Sequence, residues 1–256
     1  MSPRGPALIT GASGGIGAAT AKRLAADGLD VALHAHANVD RAEALAREIE
    51  ASCNVRTVVV VADLFDRDES RSLVSQVIDA FGDLGVLVNN AGIDVRRPTL
   101  LGDYDEELWD RMLAIHLTAP YLAARAALPT FLKRGGGVIV TVASIAGVVA
   151  WPGNCGYNAA KAGAINLTRT IATEFADRGI RANAVCPGII DTQLSRDYIG
   201  AASDPIAAER EANAAQPLGR MGTAEEISEV IAFLASPAAS FVTGTAVEAD
   251  GGFLAL

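Results

Sequence analysis

Lysine is nearly missing from this chain: of 21 basic residues only Lys22, Lys133 and Lys161 are lysines. Codon bias accounts for the many arginines, but a residue so generally avoided marks the places where it is kept. Cysteine is also scarce, at three residues, and Cys53, Cys155 and Cys186 have no paired spacing. That excludes a disulfide framework and a zinc site. Three histidines (His34, His36, His116) form no metal-ligand cluster, so no metal is expected. An excess of basic charge is absent too, because the net charge is −9. Nucleic acid and anionic membrane surfaces are therefore not expected partners. The longest apolar stretch, Val138 to Trp151, is interrupted by Thr141, Ser144 and Gly147. It falls short of the roughly 20 residues that a membrane span needs. A strand is expected directly after Met1–Pro6, leaving no room for a signal peptide, and the expected location is the cytoplasm.

What the chain does have is alternation. Short β-branched runs follow helix-length amphipathic segments from end to end. Strands are expected at Ala7–Thr10, Val31–Ala35, Thr57–Val61, Val86–Asn89, Gly137–Val142, Arg181–Val185 and Ala246–Glu248. Helices are expected at Gly15–Asp27, Val39–Ser52, Asp66–Phe81, Glu106–Lys133, Tyr157–Asp177, Pro205–Ala215 and Ala224–Ala235. Strands such as Val58–Val61 have no polar face, as in a parallel sheet covered on both sides. The expectation is an α/β, doubly wound Rossmann fold: one domain over residues 1–256, its seven-stranded, mostly parallel sheet flanked by helices. Residues 193–216, polar and lying between two marked motifs, read as a segment covering the site.

Two features carry chemistry. At the first strand-to-helix turn the chain reads Thr10-Gly11-Ala12-Ser13-Gly14-Gly15-Ile16-Gly17. Gly11, Gly15 and Gly17 let backbone approach a pyrophosphate, and the free N–H groups of the helix start point at it. The second feature is Tyr157 with Lys161 four residues later, and Ser144 thirteen residues before the tyrosine. Side chains four apart on a helix share a face, with about 5–6 Å between Cβ atoms. An ammonium about 4 Å from a phenol, at an effective dielectric of about 20, contributes up to about 4 kcal/mol to phenolate stability. That is on the order of three pKa units off a phenol of pKa about 10, before desolvation subtracts.

These motifs, with Asn89-Asn90-Ala91-Gly92, Pro187-Gly188 and Thr192 in order, resemble the short-chain dehydrogenase/reductase family over essentially the whole chain. The resemblance implies an NAD(P)(H)-dependent oxidoreductase that interconverts a carbonyl and a secondary alcohol by hydride transfer. Tyr157 would be general acid/base and Ser144 a donor to the same oxygen. Lys161 would tune the tyrosine and hold the nicotinamide ribose. The cofactor would lie along Gly11, Ser13, Gly15, Ile16 and Gly17, then Asp63 and Leu64 at the adenine. Asn90, Ala91 and Gly92 would follow its ribose side, and Pro187, Gly188, Ile190 and Thr192 would hold the carboxamide. The family also implies a homo-oligomer, in particular a homotetramer.

The end of the second strand decides between NAD and NADP, since a carboxylate there repels a 2′-phosphate. The position falls on Ala35, with His36 and Asn38 following and Arg41 within reach, so NADP is preferred and NAD remains open. The usual basic residue of NADP-dependent relatives is absent, Gly14 standing in its place. A second departure is His116, where the family carries an asparagine that holds a relay water behind the lysine. An imidazole there is either a relay group, with a titration near neutrality showing in the pH profile, or a packed ring. For a small carbonyl or alcohol substrate the expected walls are Ile93, Asp94, Ala146, Val148, Trp151, Asn154 and Cys155, beside Ser144 and Tyr157. Two other functions compete. One is a 3-oxoacyl-[acyl-carrier-protein] reductase, helped by Lys133, Arg134 and Arg178 as a basic patch. The other is a cofactor-binding regulator without catalysis, which would have no use for Ser144, Tyr157 and Lys161 together. Enoyl reductases of the same fold are disfavoured by their wider Tyr-to-Lys separation.

Overall fold

The computed structural model describes residues 5–93 and 98–255, so Asp94 lies outside the described residues. Seven strands form one sheet: β1 (Ala7–Ile9), β2 (Val31–Ala35), β3 (Thr57–Val61), β4 (Val86–Asn89), β5 (Gly137–Val142), β6 (Ile180–Pro187) and β7 (Ala246–Ala249). Their order is β3-β2-β1-β4-β5-β6-β7, and every pairing is parallel. The order reverses between β1 and β4, which opens a crevice at the carboxyl ends of those strands.

Alternation along the strands builds two cores. Ala7, Ile9, Val31, Leu33, Val86 and Val88 face α1 (Gly15–Ala26), α2 (Val39–Ser52) and α9 (Ala224–Ala235). Leu8, Ala32, Leu87 and Ile139 face the opposite layer of α3 (Arg67–Phe81), α5 (Ala119–Arg134) and α6 (Cys155–Phe175). Polar caps mark the helix boundaries. The Asp66 carboxylate accepts from the amides of Asp68 (2.8 Å) and Glu69 (2.9 Å), and Gly82 closes α3 at φ 79°.

Two expectations about helices are corrected. The single helix expected over Glu106–Lys133 is α4 (Glu106–Leu113) and α5, joined by a π turn at Ala114–Thr118. Proline supplies the reason: Pro120 has no N–H for the carbonyl four residues back, that of His116, so the α-helical pattern breaks there. The second correction is α7 (Gln193–Gly200), ahead of the anticipated α8 (Pro205–Ala214). Its start is held by Ser195, whose Oγ accepts from the Thr192 amide at 3.0 Å and donates to the Ile190 carbonyl at 2.6 Å. A serine in the role usually taken by glutamate or glutamine is a weak sequence signal.

Candidate active site

The crevice is a cleft of about 1190 Å³ running from the β2 and β3 ends, past the glycine loop, to the start of α6. It brings together Ser144, Tyr157, Lys161 and His116 with every expected cofactor residue except Gly17. Gly17 acts from behind the wall. A Cβ there would fall on the Gly11 carbonyl oxygen, so only glycine lets α1 approach its own loop this closely. Gly11 (φ 66°) and Gly15 (φ 53°) take left-handed backbone, and nothing lies within 4 Å of the Cβ position of Gly14. The cradle is thus open on the side where a diphosphate would lie, at a helix N-terminus, and it fits that group.

Three side chains hold the cradle, and one of them, His34, was not singled out by the sequence. Thr10 Oγ1 accepts from the amides of Asn90 and Ala91, both at 2.9 Å. Asn90 Nδ2 donates to the carbonyls of Thr10 (2.9 Å) and Gly11 (3.2 Å), so this side chain ties β4 to the loop. His34, buried within β2, accepts from the Gly11 amide on Nδ1 at 3.0 Å and donates from Nε2 to the Ala62 carbonyl at 3.0 Å. Burial lowers its pKa, which keeps the ring in the neutral form that both bonds require. A histidine inside an otherwise apolar strand was its only trace in the sequence.

At the far end of the cleft Lys161 and His116 are buried, while Ser144 and Tyr157 are half-buried. Ser144 leaves β5 with extended backbone, and its Oγ accepts from the Ala146 amide at 3.1 Å. Tyr157 is the third residue of α6, and Lys161 follows one turn on. Lys161 is 5% exposed, donates from Nζ to the Val142 carbonyl at 2.7 Å and lies 5.5 Å from the Tyr157 ring centroid. Desolvation lowers its pKa to about 8. Cys186, buried at the end of β6 near this lysine, is pushed up to about 11 by the same cause and stays a neutral thiol.

His116 sits in the π turn, 4% exposed, its ring edge-on to that of Tyr157 with centroids 5.0 Å apart. Nε2 donates to the Ile93 carbonyl at 2.8 Å, which leaves Nδ1 as an acceptor. That atom is buried and has no partner among the described residues. Burial first, and then the Lys161 charge, hold the His116 pKa well below its usual value. Of the two alternatives open from the sequence, a ring that titrates near neutrality is disfavoured: the imidazole is held neutral there.

The adenosine end is different in kind. Ala35, His36, Asn38, Arg41, Asp63 and Leu64 line it. His36 Nε2 is 3.9 Å from Asp63 Oδ2, and both side chains are open to solvent. Asp63 Oδ1 accepts from the Phe65 amide at 2.9 Å, which orients the carboxylate. No carboxylate stands at Ala35, and Arg41 has no ion-pair partner among the described residues.

Pro187, Gly188, Ile190 and Thr192 form the loop opposite the glycines. Gln216 clamps it. Its Oε1 accepts from the Ile189 amide at 3.1 Å, and its Nε2 donates to the Ile189 (3.2 Å) and Arg220 (2.9 Å) carbonyls. A Cβ on Gly188 would strike that amide. Around the substrate end stand Ile93, Ala146, Trp151 and Asn154, with Leu194 and Tyr198 from α7. Val148 and Cys155, expected as walls, do not line the cleft. Val148 is 47% exposed, and Cys155 lies beside Tyr104 at the helix start.

Residues 11–254 match the family described as enoyl-(acyl carrier protein) reductase, a branch of the short-chain enzymes. The chain belongs to the short-chain dehydrogenase/reductase family. Among its relatives, the cis-4-hydroxycyclohexanecarboxylate dehydrogenase of Sinomonas cyclohexanicum is 41% identical, covering 98% of this chain and 96% of its own. The 3-oxoacyl-[acyl-carrier-protein] reductase FabG of Staphylococcus aureus is 39% identical over 96% of each chain. The crystal structure of levodione reductase superposes with a TM-score of 0.93 at 32% identity, over 98% of both chains. This short-chain dehydrogenase/reductase is accordingly an oxidoreductase that interconverts a carbonyl and a secondary alcohol with a nicotinamide dinucleotide. No helix among the described residues is long and apolar enough to cross a membrane.

Proposed function

We propose that this protein is an NADP-preferring ketoreductase and alcohol dehydrogenase for a small, partly apolar substrate, with Tyr157 as general acid/base. The observation that carries the proposal is the Tyr157–Lys161 pair. A desolvated ammonium, anchored on the Val142 carbonyl, lies 5.5 Å from the phenol ring on the wall of the same cleft as the glycine loop. In reduction, the Tyr157 hydroxyl gives its proton to the carbonyl oxygen as charge develops there, and Ser144 Oγ donates a hydrogen bond to the same atom. Lys161 stabilises the phenolate left behind. The bound dinucleotide supplies the hydride. Oxidation of the alcohol uses the same groups in reverse, with Tyr157 as base.

His116 takes the place of the family's asparagine. Its bare Nδ1 is a buried acceptor close enough to feel the Lys161 charge, and a water donating to it would occupy the place where the family's asparagine holds its relay water. The preference for NADP follows from Ala35, which presents no carboxylate to a 2′-phosphate, and from Arg41, His36 and Asn38 at that end. Residues 193–216 form the cover over the substrate end of a single catalytic domain. By family analogy the enzyme works as a cytoplasmic homotetramer.

The FabG relatives support a second reading, a 3-oxoacyl-thioester reductase. Steady-state assays with NADPH and NADH, on small ketones and on a 3-oxoacyl thioester, test both. Ketone reduction with the higher kcat/KM for NADPH is the expected result. A higher kcat/KM with NADH overturns the cofactor assignment, and turnover confined to the thioester favours the second reading.

A further inference from the structure

The C-terminal turn reaches the substrate end through one aromatic pair. Just beyond β7, the buried Asp250 folds the chain back on itself: Oδ1 accepts from the Gly252 amide at 2.9 Å and Oδ2 from the Leu254 amide at 2.8 Å. Its carbonyl accepts from the Phe253 amide at 3.2 Å, which completes a short 3-10 turn over Phe253–Ala255. The turn is fastened just past the covering segment, since the Leu218 amide donates to the Gly251 carbonyl at 3.1 Å. So placed, the Phe253 ring stacks on Trp151, with centroids 5.7 Å apart and planes 17° from parallel.

The Trp151 backbone is held at the start of the helix that carries Tyr157. Its carbonyl accepts from Asn158 Nδ2 at 2.9 Å and from the Asn154 amide at 3.3 Å. The indole lines the cleft, whereas Phe253 does not. One aromatic therefore backs the other and fixes its plane on the wall of the cleft that also holds Ile93, Ala146, Ser144 and Tyr157. A fixed, flat, uncharged wall suits a substrate that is already rigid. A small ring covers such a face without losing internal rotations, while an open chain must freeze several bonds to make the same contact.

We propose that Phe253 is a positioning residue that sets the plane of Trp151, and that this pair selects carbonyls carried in a small ring over open-chain ones. The proposal rests on the ketone-reductase reading above. Its test uses the full-length protein, NADPH, cyclohexanone and the open-chain methyl butyl ketone. Phe253→Ala should raise the KM for cyclohexanone about tenfold, the size of one lost aromatic contact, with kcat and the KM for NADPH changed by less than about threefold. The KM for methyl butyl ketone should move by less than about twofold, and Phe253→Tyr, which keeps a stacking ring, should restore the wild-type value. Phe253→Leu fills the space without stacking and should behave as the alanine variant does. Equal losses on both ketones, an unchanged cyclohexanone KM in Phe253→Ala, or full rescue by leucine would overturn it.

A wild type that reduces neither ketone counts against the functional reading. The wall is then read directly by fluorescence. In a Trp109→Phe background Trp151 is the sole tryptophan, because the chain has two. Cyclohexanone should then change its emission, and Phe253→Ala should weaken that response. An emission change that is absent, or identical with and without the phenylalanine, overturns the role of Phe253.

Discussion

The two ends of the cleft hold their polar groups by opposite means. At the catalytic end Lys161 and His116 are almost wholly removed from water, each anchored on a backbone carbonyl. At the adenosine end the His36 and Asp63 side chains are 58% and 36% exposed, and they face each other at 3.9 Å. Burial makes a charge expensive and its interactions strong, so one atom there carries a large effect. Exposure lets water and salt screen each contact, so recognition is spread over several weak ones. Turnover should therefore hinge on single atoms, and cofactor choice on a sum.

The sharpest way to break this contrast is Tyr157→Phe, which keeps the ring and removes only the proton donor. Turnover should fall by about 10²–10⁴, the usual contribution of a positioned acid, with the NADPH dissociation constant nearly unchanged. A variant that keeps more than about a tenth of wild-type turnover removes Tyr157 from the mechanism.

The next effect is a pH dependence. With a pKa of about 8, Lys161 carries its charge below that pH and loses it above. The groups close to it are Tyr157, the neutral His116 and the neutral Cys186 thiol. Reduction measured as kcat/KM should then decline on its alkaline side with a midpoint near 8. With three lysines in the chain, isotope-labelled lysine gives three NMR signals, of which one should titrate there. His116 should add no limb near neutrality, because its ring is already deprotonated. His116→Leu should lower kcat more than it weakens NADPH binding, and His116→Asn should restore most of the rate. A near-neutral limb that vanishes in His116→Asn would show that the imidazole titrates after all.

The smallest effects belong to the exposed end. Arg41→Ala should raise the KM for NADPH by less than about tenfold, since an exposed ion pair contributes about 1 kcal/mol or less. Ala35→Asp should act more strongly, because a carboxylate on this buried strand end repels the 2′-phosphate and accepts from ribose hydroxyls instead. NADPH use should drop while NADH use is kept or improved. A collapse from Arg41→Ala alone would mean that cofactor choice, too, rests on one atom.

The same division runs through what could be read in advance. All seven strands were legible in the chain, because a two-sided parallel sheet writes itself as short apolar runs between turn signals. So were the glycine loop and the Tyr157–Lys161 pair, whose geometry is set within a turn or two of helix. The resemblance to the family, rather than local spacing, pointed to Ser144 and His116, and it did not show the ionisation of His116.

What the tertiary structure alone decided are contacts between residues distant in the chain. His34 meets Gly11 and Ala62 only because three strands lie side by side. Gln216 holds Ile189 from 27 residues away, and Phe253 reaches Trp151 from the other end of the catalytic region. Burial is decided the same way: nothing near Lys161 or His116 in sequence states how much water the packed helices exclude. Desolvation depends on every atom that surrounds a group, whereas helix phase and strand alternation depend on the few residues beside it.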